Sequence, residues 1–595
     1  MEIKLSDYIA LFLSQQGIKH VFAISGGSSI HLIHSLEDTP GIMYVCPQHE
    51  QAAAMAADGY SRVTGNLGAA VATSGPGATN LITGICCAFY DSIPIIFITG
   101  QVHSNRLKRD TGVRQIGFQE TDVVEMCKPV TKYSVLLENP LRIRYELEKA
   151  YYLAKAGRPG PVLLDIPDNI QREFIDQNSL EPFIPEIKKQ DYESLRSKTE
   201  LCMELIRHTK RPVIILGWGV RQAGAEEEIE NLINTLGFPV APTWAVADIL
   251  PDDHSLLVGT FGTHGTRYAN FAVQNADLIL AIGSRLDTKA TGSPVTTFGR
   301  EAKKIVVDID RNELDKFKKY GLDVDVSVNA DAKVFLQMLN RGVNGVIKKD
   351  ISSWMDKIAE WKRKYPIGPS VVNPVGSVDP YVFVKSLSKE AAEEQVIFVD
   401  TGCTLAWMMQ AFQFKANQRL FHDWNNTAMG WALPASIGAC FALDKDPVIC
   451  VTGDGSLQMN IQELVTVIHH RLPIKIFLIN NKSYSMIQQT QDQWLDSKYL
   501  ASTVEGGLAF PDFLKVAEGY GFKTVTITRN KSVYEVIRMV LEYDGPVFCN
   551  VEIGSDQRVI PQVKFGRPNE DSEPLLDRKE FSDCMIIKPD KSSLQ

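Results

Sequence analysis

The stretch VICVTGDGSLQ at 448–458, followed by IKIFLINNKS at 474–483, decides the fold. Each part opens on a continuous apolar run of strand length, VICV and then IKIFLI. Continuous rather than alternating runs suit strands buried on both faces, as in parallel sheets covered by helices. The first run ends in Gly453-Asp454-Gly455-Ser456 and the second in Asn480-Asn481, with Asn481 27 positions after Asp454. Two strand ends thus present a carboxylate and an amide together at the carboxyl edge of a sheet, where ligands bind in open α/β folds. Asp454 and Asn481 are hard oxygen ligands suited to Mg²⁺, which keeps phosphate oxygens in its shell. Gly453 and Gly455 let the backbone approach a diphosphate closely. A lone GDG reads as an ordinary turn; the Asn pair after a second strand separates this one from that reading.

The same pattern extends outward over nearly the whole chain. Strands are expected at Val21–Ser25, Ala69–Thr73, Ile95–Thr99, Val162–Ile166, Val213–Leu216, Leu278–Ile282, Lys304–Asp310, Val396–Asp400, Val448–Thr452, Ile474–Ile479 and Val547–Ile553. They alternate with helical patterns, so the expected class is α/β with right-handed crossovers. Two stretches without periodicity read as linkers, Gln177–Tyr192 and the Pro-, Gly- and Ser-rich Tyr365–Asp379. They divide the chain into domains at about 1–178, 190–345 and 370–560. The polar tail, 566–595, reads equally as a flexible lid or a packed arm, and no short-period repeat stands out.

Composition sets the outer limits. Hydrophobic residues make up 44%, which excludes a wholly disordered chain. The 62 Lys+Arg against 71 Asp+Glu leave a net charge of −9 and give no electrostatic reason to expect a nucleic acid partner. No apolar run reaches the roughly 18 residues of a membrane span. The start, MEIKLSDYIALFLSQQG, has the pattern of an amphipathic helix rather than a signal peptide. Ten cysteines without a CxxC pair read as reduced thiols of a cytoplasmic protein.

GDGS followed by NN resembles the cofactor motif of thiamine diphosphate enzymes. Further segments agree: HEQAAAMAADGYSRVTG at 49–65, TSGPGATN at 73–80, FQE at 118–120, GRPGPVLLDIP at 157–167, GTHGT at 262–266 and GSRLDTKATG at 283–292. Together, from about residue 3 to 565, they resemble the acetolactate synthase (acetohydroxyacid synthase) group. The resemblance implies a pyrimidine-binding domain, a central domain and a diphosphate-binding domain. It implies that the cofactor lies between the first domain of one subunit and the third of another. A homodimer is then the smallest active unit, with a homotetramer as the common larger form; a regulatory subunit is left open.

The resemblance also assigns residues. Glu50 is the glutamate that hydrogen-bonds the aminopyrimidine of the cofactor and favours the tautomer that deprotonates the thiazolium. The carbanion attacks the keto carbon of a 2-oxo acid, and the thiazolium accepts the electron pair on decarboxylation. Gly26 and Gly27 match a glycine pair near the substrate. Phe118 and Gln119 flank the active centre, and Gln119 is placed to hydrogen-bond the bound intermediate. Met429 and Gly430, in TAMGWALP, match the segment that holds the pyrimidine, and Met486 falls in the same region. Gly402, Gly453, Asp454, Gly455, Ser456 and Asn481 fall to the diphosphate end, with Asp454, Asn481 and the backbone of Ser483 as metal ligands. In the middle third Gly217-Trp218-Gly219, Gly262, Thr263, His264, Arg285, Asp308 and Asp310 fall on segments that contact FAD. RLDTKATG departs there from the family's RFDDRVTG.

Three further departures fall on the acceptor side. The family's GQHQ reads GCTL at 402–405, the tryptophan of LGMVxQW reads Thr490, and the lysine of DIPKD reads Asp168. Arg285, which faces the second substrate's carboxylate in the family, is kept. The leading expectation is a carboligase that decarboxylates pyruvate and transfers the two-carbon unit to a second carbonyl compound. With pyruvate as acceptor the product is 2-acetolactate. The alternatives are transfer to a nucleotide-linked ketosugar or an aldehyde, or a simple 2-oxo acid decarboxylase or oxidase. A noncatalytic subunit is disfavoured by the intact Glu50, Asp454 and Asn481.

Overall fold

The computed structural model describes residues 2–186, 190–343, 350–369 and 376–594. Parts of both expected linkers, 187–189 and 370–375, lie outside the described residues. The chain forms three parallel sheets flanked by helices, of six, five and six strands. Every one of the eleven expected strands is present, within two residues at each end. All eleven are interior strands. The sheets gain six more, Met43–Val45 and Tyr133–Leu136, Val240–Pro242 and Val326–Asn329, Arg419–Phe421 and Lys523–Ile527, and these are the two edges of each sheet. Interior strands are apolar on both faces; edge strands here are short or half exposed and carry no continuous apolar run.

The first and third sheets have the same strand order: second, first, third, fourth, sixth, fifth. The sequence shows no repeat, yet the fold repeats. In each domain one helix joins the second strand to the third, Glu50–Thr64 in the first and Ala432–Ala442 in the third. These two corresponding helices pack against each other. The contact is reciprocal: a Cβ on Gly59 would strike the Ala435 carbonyl, and one on Gly438 would strike that of Ala56. Both glycines are there to let two backbones touch. This pairing joins the first and third sheets through one apolar core that holds Met55, Tyr60, Phe398, Trp431 and Phe441.

The first domain closes where its N-terminal strand Glu2–Lys4 pairs antiparallel with Phe174–Asp176. The amphipathic helix expected near the N-terminus is Leu5–Gln15, with Leu5, Ile9, Phe12 and Leu13 turned inward. The core of the middle domain continues past residue 345. Trp354, Ile358 and Trp361 of the helix Ser352–Lys364 are buried in it. The tail resolves as a packed arm rather than a lid over a site. Phe581 and Cys584 of its helix Arg578–Cys584 join the middle core. Glu570, fully buried, pairs with Arg300 at 2.7 Å, and Asn275 accepts the backbone N–H of Ile586 at 2.6 Å. The ten cysteines are unpaired and eight are buried. No helix among the described residues is long and apolar enough to cross a membrane.

Candidate active site

The strands Val448–Gly453 and Ile474–Asn480 are hydrogen-bonded neighbours, as their sequences require. Asp454 opens the helix Asp454–Met459 directly after the first strand. Its Oδ1 accepts the Gly455 N–H at 2.6 Å, and its Oδ2 accepts those of Asn481 at 3.0 Å and Lys482 at 2.6 Å. The carboxylate therefore knits the two strand ends together. Asn481 Oδ1 in turn accepts the Ser483 N–H at 3.1 Å. Burial pushes Asp454 up to about 6 despite these backbone donors. A divalent cation beside it would offset that cost and hold it ionised. Among the described residues no group of three His, Cys, Asp or Glu gathers anywhere. A cation at Asp454, Asn481 and Ser483 must complete its shell from phosphate oxygens and water, which is how Mg²⁺ is commonly held.

A cavity of about 440 Å³ opens at this edge. Gly402, Met429, Gly453, Asp454, Gly455, Ser456, Asn481, Ser483 and Met486 all line it. Gly402 sits at φ +90° with open space where a side chain would be, at the N-terminus of the nine-residue helix Cys403–Ala411. Only glycine takes that conformation without strain, and the open N–H groups of a helix start favour an anion. Gly455 is glycine for a different reason, because the Tyr484 ring crosses directly over it. Gly430 stays off the cavity wall; its carbonyl accepts Asn460 Nδ2 at 2.8 Å and braces the turn that carries Met429. Thr401 and Trp407 are also on the wall and drew no functional expectation; Thr404 and Leu405 of GCTL are there too. Cys403 is on the wall with its thiol pushed up to about 12 by burial, so it is not a nucleophile at neutral pH. Thr490 is off the wall, its hydroxyl bonded to the Met486 carbonyl at 3.0 Å.

The middle domain supplies the other side of the cavity, with Trp244, Phe261, Thr263, His264 and Arg285. His264 is 5% exposed, neither ring nitrogen has a partner, and burial pushes it down to about 3, so it is neutral. A second cavity, about 300 Å³, lies at the carboxyl edge of the middle sheet and holds Gly219, Arg285 and Asp308 on its wall. Burial pushes Asp308 up to about 6. The two cavities share Trp218, Gly283, Arg285, Trp424 and Asn425. Arg285 is tied to Glu313 at 3.0 Å and to Asn425 Oδ1 at 2.7 Å. Gly262 and Asp310 line neither cavity. Gly262 packs on the Lys289 backbone, while Asp310 caps the Asn312 N–H at 2.9 Å and pairs with Arg158 at 3.3 Å.

Glu50 and its neighbours form a separate cluster, at the carboxyl edge of the first sheet. Glu50 is the first residue of its helix, and His49 caps that helix through Nδ1. Its Oε2 accepts Asn80 Nδ2 at 2.9 Å, a contact that gives the last residue of TSGPGATN a purpose. Gly75 to Gly77 lie between Glu50 and Gln119, with Gln119 strained at φ +64°. Gly26 packs on Thr73, and Gly27 faces open space. Phe118 is 86% exposed, and Ile116 beside it 53%. Asp168 follows the strand Val162–Pro167 of the same sheet, with Oδ1 buried and unpartnered. No described residue before Gly217 lines the 440 Å³ cavity. Glu50 therefore does not line the cavity that Asp454 and Asn481 border.

Comparison with known proteins matches both halves. Residues 3–126 match the N-terminal TPP binding domain of thiamine pyrophosphate enzymes, 199–339 their central domain, and 400–551 their C-terminal TPP binding domain. Among similar proteins, acetolactate synthase large subunit of Corynebacterium glutamicum is 35% identical over 573 residues, covering 95% of this chain and 89% of that one. Acetolactate synthase 1, chloroplastic, of Zea mays is 34% identical over 575 residues, 95% of this chain and 87% of that one. Acetolactate synthase large subunit of Pyropia yezoensis is 34% identical over 560 residues, 93% and 92%. With the GDGS–NN edge intact and these relatives matched end to end, the chain belongs to the thiamine pyrophosphate enzymes, in their acetolactate synthase group.

Proposed function

We propose that the protein is a thiamine diphosphate- and Mg²⁺-dependent carboligase that takes pyruvate as donor and transfers its two-carbon unit to a second carbonyl compound. The observation that carries this reading is the pair of half-sites: Asp454, Asn481 and Ser483 around one cavity, and Glu50 held by Asn80 at another sheet edge. Asp454, Asn481 and the Ser483 backbone would hold the cation and, with Gly402 and Ser456, the diphosphate. When bound, the cofactor supplies a thiazolium carbon that attacks the 2-oxo acid and an electron sink for decarboxylation. Glu50 then accepts and returns the proton of the aminopyrimidine, a transfer that general acid–base groups accelerate by about 10²–10⁴. Met429 and Met486, on the cavity wall, would pack their unbranched apolar side chains against the cofactor. Gln119, Phe118, Gly26 and Gly27 border the space where the substrate meets Glu50.

The two half-sites meet when two copies of the chain assemble, the first domain of one facing the third domain of the other. Val113, Ile116 and Phe118, in the segment that leads to Gln119, and Ile487 on the cavity wall with Trp494 and Leu500 farther along the chain, are exposed apolar residues that such an assembly would cover. A homodimer is the smallest active form, and a homotetramer pairs two of them. The ten unpaired cysteines support a cytoplasmic setting.

FAD belongs to the same proposal. Thr263, His264 and Arg285 on one cavity and Gly219, Arg285 and Asp308 on the other would hold its two ends, and the unpartnered nitrogens of His264 call for a ligand. Against an easy fit, Trp218 and Trp424 stand in the shared wall with ring centroids 5.0 Å apart. The purified protein should carry flavin absorbance that heat releases; a colourless protein that takes up no added FAD removes the flavin from the proposal.

Asp168 favours a second reading in which the donor half is the same and the acceptor is a nucleotide-linked ketosugar or an aldehyde; Thr490, off the cavity wall, does not bear on it. A carboxylate stands at Asp168 where the resemblance calls for a cation, which disfavours the carboxylate of a pyruvate acceptor at that position. Product analysis by mass spectrometry after incubation with pyruvate, thiamine diphosphate and Mg²⁺ separates the readings. Rapid 2-acetolactate supports pyruvate as acceptor. Slow carbon dioxide release with little acetolactate supports another acceptor. No turnover of pyruvate contradicts both.

A further inference from the structure

Glu463 is fully buried and has no part in the reading above. It closes the turn Ile461–Glu463, just after the helix Asp454–Met459 of the third domain. Its carboxylate reaches across into the first domain. Oε1 and Oε2 accept the backbone N–H of Gln48 at 2.9 and 3.1 Å, and Oε2 also accepts the Thr466 hydroxyl at 2.8 Å. Burial pushes the Glu463 carboxyl up to about 7, while the Thr466 hydroxyl and the backbone N–H groups of Gln48 and His49 pull it down. Burying a carboxylate is costly, and this one, with no cationic partner in contact among the described residues, is held by the groups it accepts from.

What it holds is the approach to Glu50. Gln48 and His49 are the two residues before it, and His49 is the cap of its helix. We propose that Glu463 is a positioning residue for Glu50: by gripping the Gln48–His49 backbone it fixes the direction from which Glu50 presents its carboxylate. The other fixed points act farther along, Asn80 on the Glu50 side chain itself and Gly59 against Ala435 ten residues into the helix. Neither fixes the residues that lead into the helix. This inference rests on the proposed role of Glu50, and a loss of aim of about 1 Å at such a group slows a reaction by about a hundredfold.

The test measures the rate of hydrogen–deuterium exchange at the thiazolium C2 of thiamine diphosphate bound to the full-length enzyme, because on the proposed role of Glu50 that carboxylate is what speeds exchange beyond the slow rate of the free cofactor. Three variants are compared with the parent: Glu463→Gln, Thr466→Val and Glu50→Gln. Glu463→Gln keeps the shape but turns an amide toward a backbone N–H. It is expected to slow exchange and kcat together by at least about tenfold, with KM for pyruvate and Kd for thiamine diphosphate within about threefold. Thr466→Val leaves the carboxylate with one donor fewer and is expected to slow exchange by a smaller factor in the same direction. Exchange within twofold of the parent in Glu463→Gln overturns the proposal. So does a drop in cofactor affinity or thermal midpoint with unchanged exchange in the cofactor-saturated protein, since that is a purely structural role. If Glu463→Gln does not fold, unchanged exchange in Thr466→Val overturns it. Normal exchange in Glu50→Gln would instead remove the role of Glu50 itself, which keeps the two failures apart.

Discussion

Glu50→Gln is expected to fold and bind its cofactor as the parent does and to lose at least about a hundredfold in kcat. The carboxamide has the same shape and its oxygen still accepts from the Asn80 amide in place of Oε2, so that hydrogen bond survives. Loss of a first-turn carboxylate costs the helix only about 0.3–1 kcal/mol of favourable dipole interaction. The packing that anchors this helix, Gly59 on Ala435 and Gly438 on Ala56, is far from the change. What disappears is the exchangeable proton. Steady-state kinetics and a thermal melt on the same preparation check both halves, and a variant with full activity would remove Glu50 from the mechanism.

Asp454→Asn is expected to remove cofactor binding rather than the chemical step. The substitution takes away the charge that faces the cation and points an amide at N–H donors. Asp454 Oδ2 accepts two of them, from Asn481 and Lys482. A ligand change at a metal site costs more than the 10–100-fold typical of its outer partners, so Kd for thiamine diphosphate in Mg²⁺ should rise by at least about a hundredfold. The apo protein should melt close to the parent, because the variant also escapes the burial cost that raises Asp454 to about 6. Calorimetric titration with thiamine diphosphate and Mg²⁺ gives the Kd directly. An unchanged value would place the cation elsewhere.

The interior strands were legible because burial on both faces leaves a continuous apolar run, as in VICV and IKIFLI. Edge strands such as Arg419–Phe421 and Lys523–Ile527 carry no such run, and pairing to a neighbour, not their own pattern, makes them strands. The duplication of the first and third domains was invisible for a related reason. Strand order is conserved by packing, and packing asks for apolar character and a close helix contact at Gly59 and Gly438, not for the same residues. At the site, the Asp454–Asn481 edge was readable from spacing alone, since two adjacent parallel strands bring their ends together. Glu463 and Asn80 were not, because they act through contacts 415 and 30 positions away in sequence. Asp310 was expected on a cofactor and instead caps a helix, a role that short acidic side chains after strands fill often.

Mixing the two inactive variants tests the shared active centre most directly. Glu50→Gln chains retain Asp454 and Asn481, and Asp454→Asn chains retain Glu50. If each centre joins the first domain of one chain to the third domain of another, a mixed dimer contains one intact centre. Co-expression in equal amounts should then restore activity to about a quarter of the parent, since half of the dimers are mixed and each has one working site. If the mixture stays as inactive as either variant alone, Glu50 and Asp454 serve the same centre within one chain, and the two-chain site is wrong.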